Sequence, residues 1–246
     1  MNPDVWLPAA PSTGTPAQRR LLILPHAGSG TGAWFPWRSR LPDDVELRVA
    51  RLPGRESRLG EKPLTSAAEA LTELTHAYRA LPPMPTVVFG HSLGALLAYG
   101  LCVGCPGTIR ALVVSGEVAP GSCDRSHADL LGLSDRELAL EANRRWGAVP
   151  AEILDAPEFL SLFLPALRGD LALVDSFPER PGGPIGIPLS VFAGVEDDLD
   201  AGGVHRWELH TEARTQLFRH PGAHMAVLED PAVTEQVVST CLGGLS

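Results

Sequence analysis

Positive charge, cysteine and export signals are all scarce in this 246-residue sequence. Twenty basic residues face 29 acidic ones, for a formal net charge of −9. Neither nucleic acid nor an anionic membrane is therefore expected as a partner, because phosphate contacts need a net positive surface. The first twenty residues hold Asp4 and several prolines but no apolar core of a signal peptide, so a cytoplasmic location is expected. Four cysteines, Cys102, Cys105, Cys123 and Cys241, make no disulfide framework. Cys102-x-x-Cys105 has no second Cys or His pair to complete a metal site, and two buried reduced thiols are the expectation. Residues 86–108 lack Asp, Glu, Lys and Arg altogether, but Gly90-His91-Ser92 and four further glycines break the run. That excludes a membrane span and fits a buried strand, a tight turn and a buried helix.

What is present is an ordinary globular composition, 44% hydrophobic with no low-complexity tract. A chain of this length buries roughly three-quarters of its unfolded surface in one α/β domain, so no staple is needed. Short apolar runs predict strands at residues 21–24, 47–50, 86–90, 111–115, 189–193 and 215–219. Between them, Ser66-x-x-Glu69 is a capping-box pattern that opens an amphipathic helix, residues 93–104 predict another, and 231–241 the last. Such alternation implies a mainly parallel sheet flanked by helices. The alternation stops between residues 117 and 188, where helical patterns occur without a convincing strand. Ser134-x-x-Glu137 starts one helix there. A second runs from Pro157 toward Phe177 with Pro165 expected to kink it. The chain is read as one domain, 1–246, with a helical lid inserted at about 117–184 and a hinge-like return at Pro181-Gly182-Gly183-Pro184.

Gly90-His91-Ser92-Leu93-Gly94 carries the chemistry. The bare G-x-S-x-G pattern is common, but here a predicted strand precedes it and a predicted helix follows it. That context is the nucleophile elbow of an α/β-hydrolase fold, with Ser92 as nucleophile. A serine hydroxyl needs a base and an orienting acid, which in this fold follow in the order serine, acid, histidine. His224, in the loop after the last strand, is the expected base; His205, His210 and His220 read as packing, surface or strand-end residues. Asp197, beyond the strand at 189–193, is the expected acid, with Asp198 its main rival and Asp200 a weaker one. The oxyanion hole needs the backbone N–H after the nucleophile, Leu93, and one from the loop after the first strand, where Ala27 is the expected donor. His26 reads as an anchor of that loop. Phe159, Phe163 and Leu167 on the lid helix, with Met225 beside the base, are expected to line an acyl channel.

The chain resembles the type II thioesterases that accompany modular polyketide and nonribosomal peptide synthases. The resemblance spans about residues 22–228. It rests on Pro25-His26-Ala27-Gly28, Trp37, Leu41-Pro42, Leu52-Pro53-Gly54-Arg55-Glu56 with Arg58, the serine motif, Leu133-Ser134-Asp135, Leu164-Pro165, Arg168 and Asp170, residues 194–197 and Gly222-x-His224. It implies a lidded α/β-hydrolase fold and hydrolysis of acyl groups from the phosphopantetheine arm of acyl or peptidyl carrier proteins. Carried over, it makes Ser92, Asp197 and His224 the triad, with Ala27 and Leu93 as oxyanion donors and no cofactor or metal beyond the substrate's own arm. The chain departs from the family in having Asp198 where a proline is usual and Met225-Ala226 where bulky aromatics are usual. Such an enzyme could work as a monomer. Seven of the 20 basic residues fall at positions 38–62 against five acids, which raises a docking patch or a solvated face as readings of that stretch. The competing functions are another α/β-hydrolase, such as a small-molecule esterase or acyltransferase, and a non-catalytic interaction protein.

Overall fold

The computed structural model describes residues 2–12, 14–122, 127–149, 151–179 and 182–245. Six strands run parallel in one sheet: β1 Arg19–Leu24, β2 Val45–Val49, β3 Thr86–His91, β4 Ile109–Ser115, β5 Leu189–Gly194 and β6 Thr215–His220. Their order is β2-β1-β3-β4-β5-β6, so the chain reverses its direction of winding beside β1. Each strand predicted from an apolar run is present, with ends shifted by no more than two residues.

Burial explains why these runs become central strands. All six residues of β3 are buried, as are residues 20–24 of β1. Alternate side chains feed two cores. Leu22 and Leu24 face one with Val88, while Leu21 and Ile23 face the other with Phe89. Helix α1 (Ala67–Arg79) covers the first face with Ala70 and Leu74, capped by Ser66 accepting from the Glu69 N–H. The second face takes Trp34, Trp37 and helix α5 (Pro231–Gly243) through Val233, Val237 and Cys241. Helix α2 (Leu93–Gly104) is buried from Leu93 to Cys102, which explains its lack of charge. Cys102 and Cys105 are buried, and burial pushes both thiols up. Cys123 lies outside the described residues.

Among the described residues, 117–184 contain helices and no strand. Helix α3 (Asp135–Trp146) opens on the Ser134–Glu137 capping box, both halves of which form, and closes on Gly147 at φ 66°. Helix α4 (Pro157–Asp175) runs as one element through Pro165. This segment has a core of its own, in which Leu138, Ala142, Leu160, Leu164 and Leu167 pack together. The last turns of α4 leave it: Leu173, Val174 and the following Phe177 belong to the core under the sheet. On the return path Pro181 is outside the described residues, and the Gly183 carbonyl accepts from Tyr99 Oη at 3.0 Å. No helix of the described residues is long and apolar enough to cross a membrane.

Candidate active site

Ser92 stands between β3 and α2 with φ 55° and ψ −124°, a backbone conformation a side chain rarely adopts. Such strain costs on the order of 1–3 kcal/mol and persists only where surroundings enforce it. They do so here. The Ser92 N–H donates to the Ser115 carbonyl at 2.8 Å, and its own carbonyl accepts from Ala95 N–H at 2.7 Å. The flanking glycines allow close approach: a Cβ on Gly90 would meet the Gly94 carbonyl, and one on Gly94 would meet the Leu24 carbonyl at the end of β1. The motif therefore holds α2 against two strands while turning the serine out beyond the sheet.

The other site residues sit at the same edge, beyond the carboxyl ends of β1, β5 and β6, where ligands of open parallel sheets bind. His224 Nδ1 lies 3.0 Å from Asp197 Oδ2, and both side chains are about 95% buried. Two backbone bonds fasten their loops together, Val195 N–H to the His220 carbonyl at 2.9 Å and Glu196 N–H to the Gly222 carbonyl at 3.2 Å. A carboxylate acceptor on Nδ1 fixes the tautomer and leaves Nε2 as the basic atom. Asp198 is exposed, and the Asp200 carboxylate caps a short helix through the Gly203 N–H at 2.6 Å. Behind His224 stand two further buried histidines. The His91 ring lies 4.8 Å from that of His224 and 5.7 Å from that of His26. Burial, then the neighbouring His224, pulls His26 down to about 3, and the same causes pull His91 well below its ordinary value. Both stay neutral.

A cavity of about 120 Å³ opens over this edge. Ala27, Ser92 and His224 form one wall; Trp146, Leu167, Leu171 and Val174, from the helical segment, form the opposite one. Leu93 is the first residue of α2, where backbone N–H groups have no acceptor within the helix. In the facing turn the Gly28 N–H is committed to Asp170 and the Ser29 N–H to the His26 carbonyl, while Ala27 itself lines the cavity. Of the four side chains expected in the channel, Leu167 lines the cavity. Phe163 instead lies over Gly28, where a Cβ would come within 2.7 Å of its ring. Phe159 is 53% exposed on the outer surface of α4, and Met225 is buried against Gly147.

Sequence reasoning did not see what holds the loop at Ala27. Asp170, on α4, is buried and accepts from Gly28 N–H (2.7 Å) and from Arg55 through Nη1 (2.8 Å) and Nη2 (2.7 Å). Arg55 Nη1 also reaches the Ser29 carbonyl at 3.0 Å. Next in sequence, Glu56 at φ 50° receives the Thr31 N–H at 2.7 Å and the Thr31 hydroxyl. Arg55-Glu56 is thus a clasp on the loop, closed from the other side by α4. The remaining bases of 38–62 are also engaged inside the protein, Lys62 excepted. Arg38 bonds the Val45 and Leu41 carbonyls, Arg40 pairs with Glu235, and Arg48 with Asp4 and Glu46. Arg51 bonds the Val5 carbonyl, and Arg58 pairs with Glu61 over the Trp6 ring. Their clustering serves loop structure.

A family model described as Thioesterase domain matches residues 19–243. The AMB antimetabolite synthetase AmbE of Pseudomonas aeruginosa is 33% identical over 214 residues, which is 85% of this chain and 10% of AmbE. The gramicidin S biosynthesis protein GrsT of Aneurinibacillus migulanus is 29% identical over 223 residues, covering 87% of this chain and 84% of GrsT. Among solved structures, the type II thioesterase BorB from the borrelidin biosynthetic cluster superposes with a TM-score of 0.85 at 30% identity, covering 97% and 98% of the two chains.

Proposed function

The chain belongs to the thioesterase family, among its type II members, and from that we propose that it hydrolyses acyl groups from the phosphopantetheine arm of carrier proteins in a modular polyketide or nonribosomal peptide pathway. The observation that carries the reading is the convergence of Ser92, on its strained elbow, with the buried His224–Asp197 pair on one cavity. GrsT, named for gramicidin S biosynthesis, and BorB, a type II thioesterase of the borrelidin biosynthetic cluster, match this chain over 84% and 98% of their lengths and support the carrier-bound substrate.

Ser92 attacks the thioester carbonyl as His224 Nε2 takes its proton. The oxyanion is held by the Ala27 and Leu93 N–H groups, and the proton passes to the departing pantetheine thiol. Water, deprotonated by the same nitrogen, then attacks the acyl-serine and frees the acid. Asp197 holds the imidazole tautomer and stabilises the imidazolium in both steps. The arm brings the acyl group, so the chemistry asks for no metal or redox cofactor. Residues 117–184 form the lid of what we take to be one hydrolase domain, and the cavity under it receives the acyl chain.

The deciding measurement is hydrolysis of an acyl carrier protein by wild type and by Ser92→Ala. The variant should remain folded and lose on the order of a millionfold in rate. Near-normal turnover would falsify the assignment. The same acyl group on a short soluble thiol should be the poorer substrate; equal efficiency would favour a small-molecule esterase.

A further inference from the structure

Two buried histidines stand behind the catalytic edge, and the hydrolytic steps use neither. Each precedes a working residue in the chain: His26 precedes Ala27, and His91 precedes Ser92. The pairing of β1 with β3 ends at Leu24 and Gly90. Just past that rung the two rings meet edge to face, with 5.7 Å between centroids. Trp34 lies against both, at 5.9 and 6.0 Å, and its Nε1 donates to Ser29 Oγ at 3.2 Å, in the same turn as Ala27. His91 Nδ1 lies 3.2 Å from the Ser115 carbonyl, which also accepts the Ser92 N–H. Gly116, at φ 64°, leaves the space: a Cβ there would come within 2.5 Å of the His91 ring and 3.2 Å of the His224 ring. The neighbourhood is fitted to these rings.

Hydrocarbon rings would fill the same places without burying polar atoms, so the ring nitrogens call for a reason. Among the described residues, His26 Nδ1 and His91 Nε2 are buried and have no hydrogen-bond partner. Leaving such atoms unpaired is unfavourable, and each one asks for an explanation. Their chemistry is complementary. A carbonyl only accepts, so the proton of the neutral His91 ring is on Nδ1 and its Nε2 keeps a lone pair. The neutral His26 ring can carry its own proton on Nδ1. A donor and an acceptor on rings in contact can be joined by a small turn of one ring, or through one bound water. Such a link ties the turn that carries Ala27 to the elbow that carries Ser92, at the point where the strands no longer do.

We propose that His26 and His91 are paired positioning residues, joined Nδ1 to Nε2, which set the oxyanion donor at Ala27 against the Ser92 nucleophile. The inference rests on the reading of Ser92 and Ala27 as parts of a thioester hydrolase. Two measurements test it. The first needs neither substrate nor variant: assigned 15N NMR of the wild-type histidines at about pH 7.5 should show both rings neutral with the proton on Nδ1. A proton on Nε2 of either ring would overturn the proposal, whatever the protein hydrolyses. The second is a double-mutant cycle, read on a butyryl-carrier protein and on inhibition by butylboronic acid. The boronate adduct of Ser92 puts a charged oxygen on the Ala27 and Leu93 N–H groups. His26→Phe, and His91→Asn, which keeps a donor for the Ser115 carbonyl, should each lose on the order of ten- to a hundredfold in kcat with KM within about threefold. Boronate affinity should fall by a similar factor, which a loss of packing alone does not predict. The double variant should be no worse than the poorer single, since one link is broken either way. Additive losses, or unchanged kcat and boronate affinity in folded single variants, would overturn the pairing and leave the hydrolase reading standing. Should the variants fail to fold, the tautomers still decide. A folded wild type that cleaves no carrier-bound acyl group and ignores the boronate would bring down the hydrolase reading, and this inference with it.

Discussion

Asp197 and Asp198 differ by one position, and the sequence could not separate them on physical grounds. The fold does: Asp197 points back at His224 from the end of β5, while Asp198 is exposed. Asp197→Asn should therefore reduce kcat by roughly ten-thousandfold, and Asp198→Asn should stay near wild type. Steady-state rates on one thioester decide it; the reverse ranking would move the acid by one residue. The histidines behind the base make a second claim. His26 and His91 are neutral in the folded protein, whereas in the unfolded chain both titrate near 6.5. Below that pH the unfolded state takes up protons the folded state refuses. Stability is complete above about pH 6.5 and falls as the pH drops below it, down to about 3 for the His26 contribution, at up to about 1.4 kcal/mol per pH unit for each histidine. Urea midpoints measured from pH 7.5 to 4.5 should show the fall, and His91→Phe should flatten it. Ser92, Asp197 and His224 could be singled out in the sequence because a motif and a fixed chain order point to them, and the fold brings the three to one edge. The buried histidine stack was not, since nothing in Gly90-His91-Ser92 says that the middle side chain lies against residue 224.

At the scale of elements, α4 belongs to two bodies. Its first half packs with α3 in the core of the helical segment, and its end packs under the sheet. Asp170 lies where the two meet, on the Arg55 pair. The prolines and glycines at 181–184 suggested a hinge from sequence alone, but Gly183 is bonded to Tyr99 and Gly182 lies against Val103. If the helical segment moves as the proposed lid, the movement is therefore expected in α3 and the first half of α4. Hydrogen exchange should show fast exchange at 135–146 and 157–164 that slows with an acyl-carrier mimic, and steady protection at 167–175. Uniform protection throughout, with and without the mimic, would mean a fixed layer. The clasp gives a separate test. Arg55→Met leaves the Asp170 carboxylate buried without its partner and should cost about 3–5 kcal/mol. A double variant, Arg55→Met with Asp170→Leu, should recover much of that stability, but not activity, because the Gly28 N–H loses its anchor beside the oxyanion donor. Recovery of full activity would show that the clasp only stabilises. Helix boundaries were readable from capping boxes and apolar spacing. A pairing across 115 residues leaves no such trace.

Across the whole molecule, the sheet order brings the ends of four strands to one edge, and every group assigned to the chemistry comes from there. Alternating strands and helices made this architecture predictable, since a parallel sheet needs helices on both faces. The use of charge was not predictable. A cluster of seven bases reads as a surface patch until their acceptors are seen, and most of those acceptors are backbone carbonyls and acids of neighbouring loops. The clasp also bears on how such enzymes can be recombined. A helical cap inserted between two strands looks like a cassette, to be exchanged between relatives by cutting near residues 117 and 184. Here the cap carries a carboxylate, Asp170, that completes a turn at the edge where Ser92 sits, and the arginine that neutralises it comes from more than a hundred residues upstream. A chimera that imports a foreign cap must import the Arg55-Glu56 strap and the turn at 26–31 with it. The unit of inheritance is this three-part joint, scattered along the chain and contiguous only in space.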